Sequence, residues 1–118
     1  MTPRRMRIDF NGLNLRWAKN DDFSTIINSG SPLASAFEPY LNKIIARVRD
    51  ALPASKENVR RDIDLFIAQE GHHYRVHNLF NRELYKRYPK LKHYEAELAD
   101  AQKRMRSEER RVGKECRL

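Results

Sequence analysis

Between Val59 and Leu84, alternating steps of four and three residues pick out Val59, Ile63, Phe66, Glu70, His73, His77, Phe80 and Leu84. At 3.6 residues per turn these fall on one face of a helix about seven turns long. The face is apolar at both ends and so belongs against a core. Its middle third instead carries a carboxylate and two imidazoles. A lone buried charge costs several kcal/mol, and such groups stay inside only when paired, hydrogen-bonded or bound to a metal. Glu70 and His73 stand one turn apart, with His77 a turn further on, so their donors can converge on one cation. Oxygen and imidazole donors suit iron, manganese or zinc alike. Gln69 and Asn81 flank the face and are placed to orient ligands through hydrogen bonds. His72 lies about 100° round from it, at the surface or in support of the ligands.

A second interrupted stripe lies upstream. Ser31 followed by Pro32 makes an N-cap and first-turn pair, which predicts a helix from there to about Leu52. Its inward face reads Ala34, Glu38, Leu41, Ile45, Val48 and Leu52, apolar except for Glu38. Pro39 removes one backbone donor beside Glu38, so either the helix is distorted there or Pro39 itself begins it and leaves Glu38 exposed. Pro53 and Ser55 separate this helix from the next, which runs from Ser55 to about Tyr88. Pro89 then opens a third, whose stripe of Leu91, Tyr94, Leu98, Ala101 and Met105 has no ligand-type residue and serves packing.

Ahead of the helices, Asn11-Gly12 sits between Met6, Ile8, Phe10 and Leu13, Leu15, Trp17. This is either a hairpin or an extended arm that packs Phe10 and Trp17 on the helices. The expected fold is therefore all-α, a partial ferritin-like bundle of three helices with an extended or hairpin N-terminal arm. Residues 1–31 form the arm and 32–105 the metal-site half-bundle. In di-metal carboxylate bundles of that kind two helices each supply a Glu and two others each supply Glu-x-x-His, all pointing inward. Glu38, then Glu70 and His73, are half of such a site in the right order.

Composition bounds the alternatives. With 118 residues the chain makes one small domain, and 34% charged residues suit a polar-surfaced helical protein. No run is long and apolar enough to span a bilayer, and the basic start lacks the apolar stretch of a signal peptide. The single Cys116 excludes an internal disulfide and a multi-Cys zinc site, which makes a cytoplasmic setting the default. Although the net charge is +8, the basic residues are interleaved with acids along the helices, the pattern of a salt-bridged surface. No nucleic-acid or membrane partner is expected. His73-x-x-x-His77 has zincin spacing, but Tyr74 stands where the general-base Glu would follow the first His. No Gly-x-Ser-x-Gly supports a serine nucleophile.

Phe66-Ile-Ala-Gln-Glu70-Gly-His-His73-Tyr-Arg-Val-His77-Asn-Leu-Phe-Asn81 resembles the signature of the bacterial predicted metal-dependent hydrolases. Ala36-Phe-Glu38-Pro-Tyr-Leu41 and Arg47-Val-Arg49 are similar to that family's first helix, and Trp17 to a tryptophan its members often carry in the arm. The likeness covers about residues 4–105. It implies a ferritin-like helical fold with Glu38, Glu70, His73 and His77 at a metal site, a divalent metal (Fe, Mn or Zn) in a mononuclear or dinuclear arrangement, and a second Glu and Glu-x-x-His beyond residue 105. From Arg106 onward the composition changes, with five basic and three acidic residues and no apolar period. That segment, 106–118, looks like the translation of a sequencing-adapter oligonucleotide rather than native chain; an ordinary basic helical tail is the alternative.

The resulting expectation is a truncated metal-dependent hydrolase acting on an unknown small molecule. Glu38, Glu70 and His73 would be ligands, His77 a ligand or the catalytic positioner of water, and a metal-activated water the nucleophile. A di-iron oxidoreductase or oxygenase on the same bundle is the alternative enzyme. The non-enzymatic alternative is a helical interaction module. Half a bundle leaves apolar surface uncovered, so a homodimer through that surface and no turnover by this chain alone are expected.

Overall fold

The computed structural model describes residues 3–115, with side chains as far as 108. The chain is all-α: helix α1 (Asp21–Ala51), a 3₁₀ turn (Ala54–Lys56), α2 (Glu57–Arg87) and α3 (Leu91–Glu115). No strand occurs among the described residues.

Helix α1 begins well before the expected Ser31–Pro32 start. The side chain of Asn20 accepts from the backbone N–H groups of Asp22 (2.8 Å) and Phe23 (3.1 Å). Asp21 and Asp22 then place negative charge at the positive end of the helix dipole. Pro32 and Pro39 both lie inside α1. Each lacks an N–H, so the ladder loses the bonds that would end on the carbonyls four residues back, at Asn28 and Ser35. Ser31 is therefore mid-helix and buried rather than a cap.

The interior face of α1 is also rotated from the apolar one expected. Its buried positions are Ser24, Asn28, Ser31, Pro32, Ser35 and Glu38. Of the expected stripe, Glu38 is buried and Ala34, Leu41, Ile45 and Leu52 are half-buried, whereas Val48 is 53% exposed. Helix α1 runs antiparallel to α2 along this polar seam. Asn81 Nδ2 donates to Ser35 Oγ at 3.0 Å, with Asn81 almost wholly buried. Near the far end Arg49 bridges to Asp64 at 2.6 Å. Where α1 stops, Arg60 donates a guanidinium N–H to the carbonyl of Leu52. Backbone bonds Tyr88 N to Leu84 O (2.9 Å) and Leu91 N to Tyr88 O (3.0 Å) close α2 and turn the chain into α3.

Helix α3 covers the side of α1 away from the apolar stripe. Gln102 Nε2 donates to the carbonyl of Ala36 at 2.7 Å, and the Arg106 guanidinium stacks 5.1 Å from the ring centre of Tyr40. The backbone helix continues through the change of composition at Arg106, and Cys116 lies outside the described residues. Phe37, Ile44 and Val48 lie on a different face and are exposed. On α2, Val59 and Phe66 (42% exposed) are likewise uncovered.

Among described hydrophobic residues, only Leu15 and Leu84 are buried. The molecule exposes 9524 Å², against roughly 6,700 Å² for a compact monomer of its mass. Its radius of gyration is 17.9 Å, where about 13.5 Å is usual for this length.

The N-terminal segment is the extended arm, not the hairpin. Asn11-Gly12 does turn, with Gly12 at φ 70° and Leu13 N bonded to Phe10 O at 3.1 Å. Beyond local turns at Asn11 and Asn14, the arm is bonded to α1 rather than paired as strands. Asn28 Nδ2 donates to Leu15 O (2.8 Å), Asn28 Oδ1 accepts from Trp17 Nε1 (3.1 Å), and Ser24 Oγ accepts from Ala18 N (3.0 Å). Phe10 meets Phe80 edge-on, with ring centres 5.6 Å apart.

With so little hydrocarbon buried, Leu84, 1% exposed, carries a large share of the packing. Leu84→Ala should cost about 2–5 kcal/mol, and Asn20→Ala about 1 kcal/mol through its cap. Urea denaturation followed by circular dichroism would check both; equal effects would show that the helix pair is not held at Leu84.

Candidate metal centre

Glu38 is delivered by the middle of α1, on the same buried face as Ser31 seven residues earlier. His73 and His77, four residues apart, come from one face of α2. The antiparallel crossing brings the three together: a donor atom from each lies within 4.8 Å of the other two. Glu38 Oε1 is 2.7 Å from His73 Nδ1 and 3.9 Å from His77 Nε2. The two Nε2 atoms are 3.0 Å apart, and Ser31 Oγ is 2.7 Å from His77 Nδ1.

One proton arrangement satisfies every one of these contacts. Ser31 donates to His77 Nδ1, His77 Nε2–H to His73 Nε2, and His73 Nδ1–H to Glu38 Oε1. Glu38, His73 and His77 could each offer a donor atom to a cation in place of the proton shared between the rings. Ser31, whose hydroxyl can donate or accept, would then accept from His77 Nδ1–H. That is the support a metal-binding imidazole usually finds on its second nitrogen.

Burial sets the electrostatics. Glu38 is 5% exposed, and its Oε2 has no hydrogen-bond partner. Desolvation pushes its pKa above the ordinary value of 4.5; His73 opposes this and nearby Glu70 adds to it. Burial, with a smaller contribution from His73, moves His77 below 6.5 and favours the neutral ring that a metal needs. A desolvated carboxylate with an orphan oxygen beside two imidazoles has the chemistry of a divalent-cation site. The residues present fit such an ion.

Glu70 is placed differently from the other three. Its carboxylate lies 3.8 Å from His73 Nδ1, at the edge of the cluster. Gln69 faces the arm, accepting from Arg4 N at 3.0 Å, and Asn81 gives its Nδ2 to Ser35 while its Oδ1 is buried without a partner. His72 lies half-buried beside Arg5, Arg7 and Arg75, away from the cluster. Ser31 was the residue that sequence reasoning missed. The signal available for it was the seven-residue spacing to Glu38, which places both on one helical face.

Residues 2–118 match the family model described as predicted metal-dependent hydrolase. The chain belongs to that family. No curated protein and no solved structure matches it. Membership accords with the Glu/His/His cluster and a divalent metal, and no helix among the described residues is long and apolar enough to cross a membrane.

The sign of the Glu38 shift gives a test on the metal-free protein. A carboxyl whose folded pKa is raised lowers stability as pH rises through the window just above 4.5, and the penalty is complete above the folded value. In EDTA, Glu38→Gln should therefore melt higher than the parent at pH 8, with the gap closing toward pH 4.5. A lower melting temperature for the variant at pH 8 would mean that the carboxylate is stabilised by a charged His73 instead.

Proposed function

We propose that this chain supplies the metal-holding helices of a hydrolase with a ferritin-like bundle, acting on a small molecule in the cytoplasm. Glu38, His73 and His77 hold a divalent ion, and Glu70 stands as the next carboxylate, for the same ion or for a second one. Glu38 with its unpartnered oxygen, buried against two imidazoles, carries the reading. A bound ion would supply Lewis acidity, polarising a scissile group and lowering the pKa of a water so that a hydroxide nucleophile forms at neutral pH. Glu38 supplies negative charge, His77 is fixed by Ser31 as ligand or positioner of water, and His73, 49% exposed at its side chain, faces the direction from which substrate arrives. Hydrolysis is favoured over oxidative di-iron chemistry by family membership. Anaerobic turnover with zinc or manganese would separate the two.

Calorimetric titration with Zn²⁺ or Mn²⁺ should show saturable binding with proton release. At a hundredfold excess over Kd, the ion should stabilise the fold by about 2.7 kcal/mol. Glu38→Ala, His73→Ala and His77→Ala should each abolish that gain, while Glu70→Ala weakens it less. Unchanged binding in Glu38→Ala and His73→Ala would end the proposal.

The uncovered apolar face supports a second reading, that the chain also self-associates. The excess of exposed surface over a compact monomer exceeds the 1,200–2,000 Å² that stable interfaces bury in total. Sedimentation should show a dimer that Phe37→Asp with Phe66→Asp dissociates and Glu70→Ala leaves intact. A monomer at every concentration would remove this reading.

A further inference from the structure

His77 has a second neighbourhood. Beside it, the arm and both helices line an open pocket of about 280 Å³ formed by Phe10, Trp17, Ile27, Val76 and Phe80, with Asn28, Ser31 and His77 completing the wall. The polar side chains in that wall are already engaged. Asn28 spends Oδ1 on Trp17 Nε1 and Nδ2 on the Leu15 carbonyl, and Ser31 is taken by His77. The hollow therefore offers a ligand hydrocarbon contact and few free hydrogen bonds. Trp17 and Ile27, each 50% exposed, form its open rim.

We propose that this pocket binds the apolar group, alkyl or aryl, of the substrate whose scissile bond lies at the Glu38–His73–His77 cluster. The assignment rests on the metal-hydrolase reading and adds the substrate class to it. Two observations set the occupant. The pocket shares His77 and Ser31 with the cluster, so a group seated in it is continuous with the reacting end. Its volume lies just below the 300–1,000 Å³ of sites that take whole small molecules, a size suited to one substituent. Apolar lining with its polar atoms already paired rejects a charged or hydroxylated group, because such a group would lose water and gain no partner.

Trp17 is the only tryptophan in the chain, so its emission reports on the pocket directly. Titrating the full chain in EDTA with 1-octanol should give a saturable blue shift, and ethanol at equal concentration none. Ile27→Asn, at an exposed position, should weaken octanol binding about tenfold. Val76→Phe, which fills the hollow, should do the same by a different route. With the metal present, octanohydroxamate should bind at least tenfold more tightly than acetohydroxamate, since the two chelate alike and differ only in the chain. A linear octanol response, or equal affinities for the two hydroxamates on a metal-loaded chain, overturns the pocket. Saturable octanol binding by a chain that takes up no metal would keep the pocket and refute the metal reading alone.

Discussion

A carboxylate buried between two helices is the constraint under which the rest of this molecule is arranged. Antiparallel helices ordinarily meet through interdigitated hydrocarbon. The seam here is built from Asn28, Ser31, Ser35 and Glu38 on one side and His73, His77 and Asn81 on the other. Each polar group in it must recover by hydrogen bonding what it loses in hydration. Serine and Asn28 do so through pairing across the seam or with the arm, whereas Asn81 pairs its Nδ2 and leaves its Oδ1 without a partner. Glu38 does so with one oxygen only. A charged group with an orphan oxygen destabilises the metal-free fold, and a cation that satisfies it ties binding to folding.

This explains why the N-terminal arm is fastened as it is. A seam poor in hydrocarbon contributes little hydrophobic stabilisation, and the arm makes up part of the deficit. It buries Leu15, sets Phe10 edge-on against Phe80, donates the Ala18 N–H to Ser24 and receives a bond from Asn28. The small polar residues in the first half of α1 thus serve two ends. They hold the arm, and they keep the helices close enough for His77 to reach Ser31. The two prolines fit the same economy of groups, since they free carbonyls at Asn28 and Ser35 within the polar seam.

The site was legible in the sequence because it breaks a rule. Glu38, Glu70, His73 and His77 stand where periodicity asks for apolar residues, and three of the four converge in space. The long second helix and its stop at Pro89 could be read for the opposite reason, that pattern and breaker agree. The start of α1 could not. Its first turns bury Ser24 and Asn28, so residues 18–31 carried no amphipathic signal, and Ser31–Pro32 imitated a helix start. The partners of Asn81 and Gln69 were equally hidden, because same-face spacing identifies neighbours within a helix and says nothing of the register between helices. The arm was ambiguous between hairpin and extended chain. Turn chemistry at Asn11-Gly12 was right, but pairing was decided by Asn28, seventeen residues away.

Access to the cluster follows from what surrounds each ligand. His77 is held by Ser31 beside the aromatic side chains of the arm, with 23% of its side chain exposed. Glu38 is buried. His73 alone presents a substantial exposed surface, and it shares its stripe of α2 with Phe66 and Val59, both uncovered. On the proposed reading, a polar reactant would approach past His73 and an apolar substituent past the rim of Trp17 and Ile27. Whatever covers Phe66 and Val59 lies next to the His73 entrance. Covering that apolar stripe would therefore also restrict access to His73, and Glu70, 3.8 Å from His73 Nδ1 and between Phe66 and His73 along α2, stands at the boundary of the two.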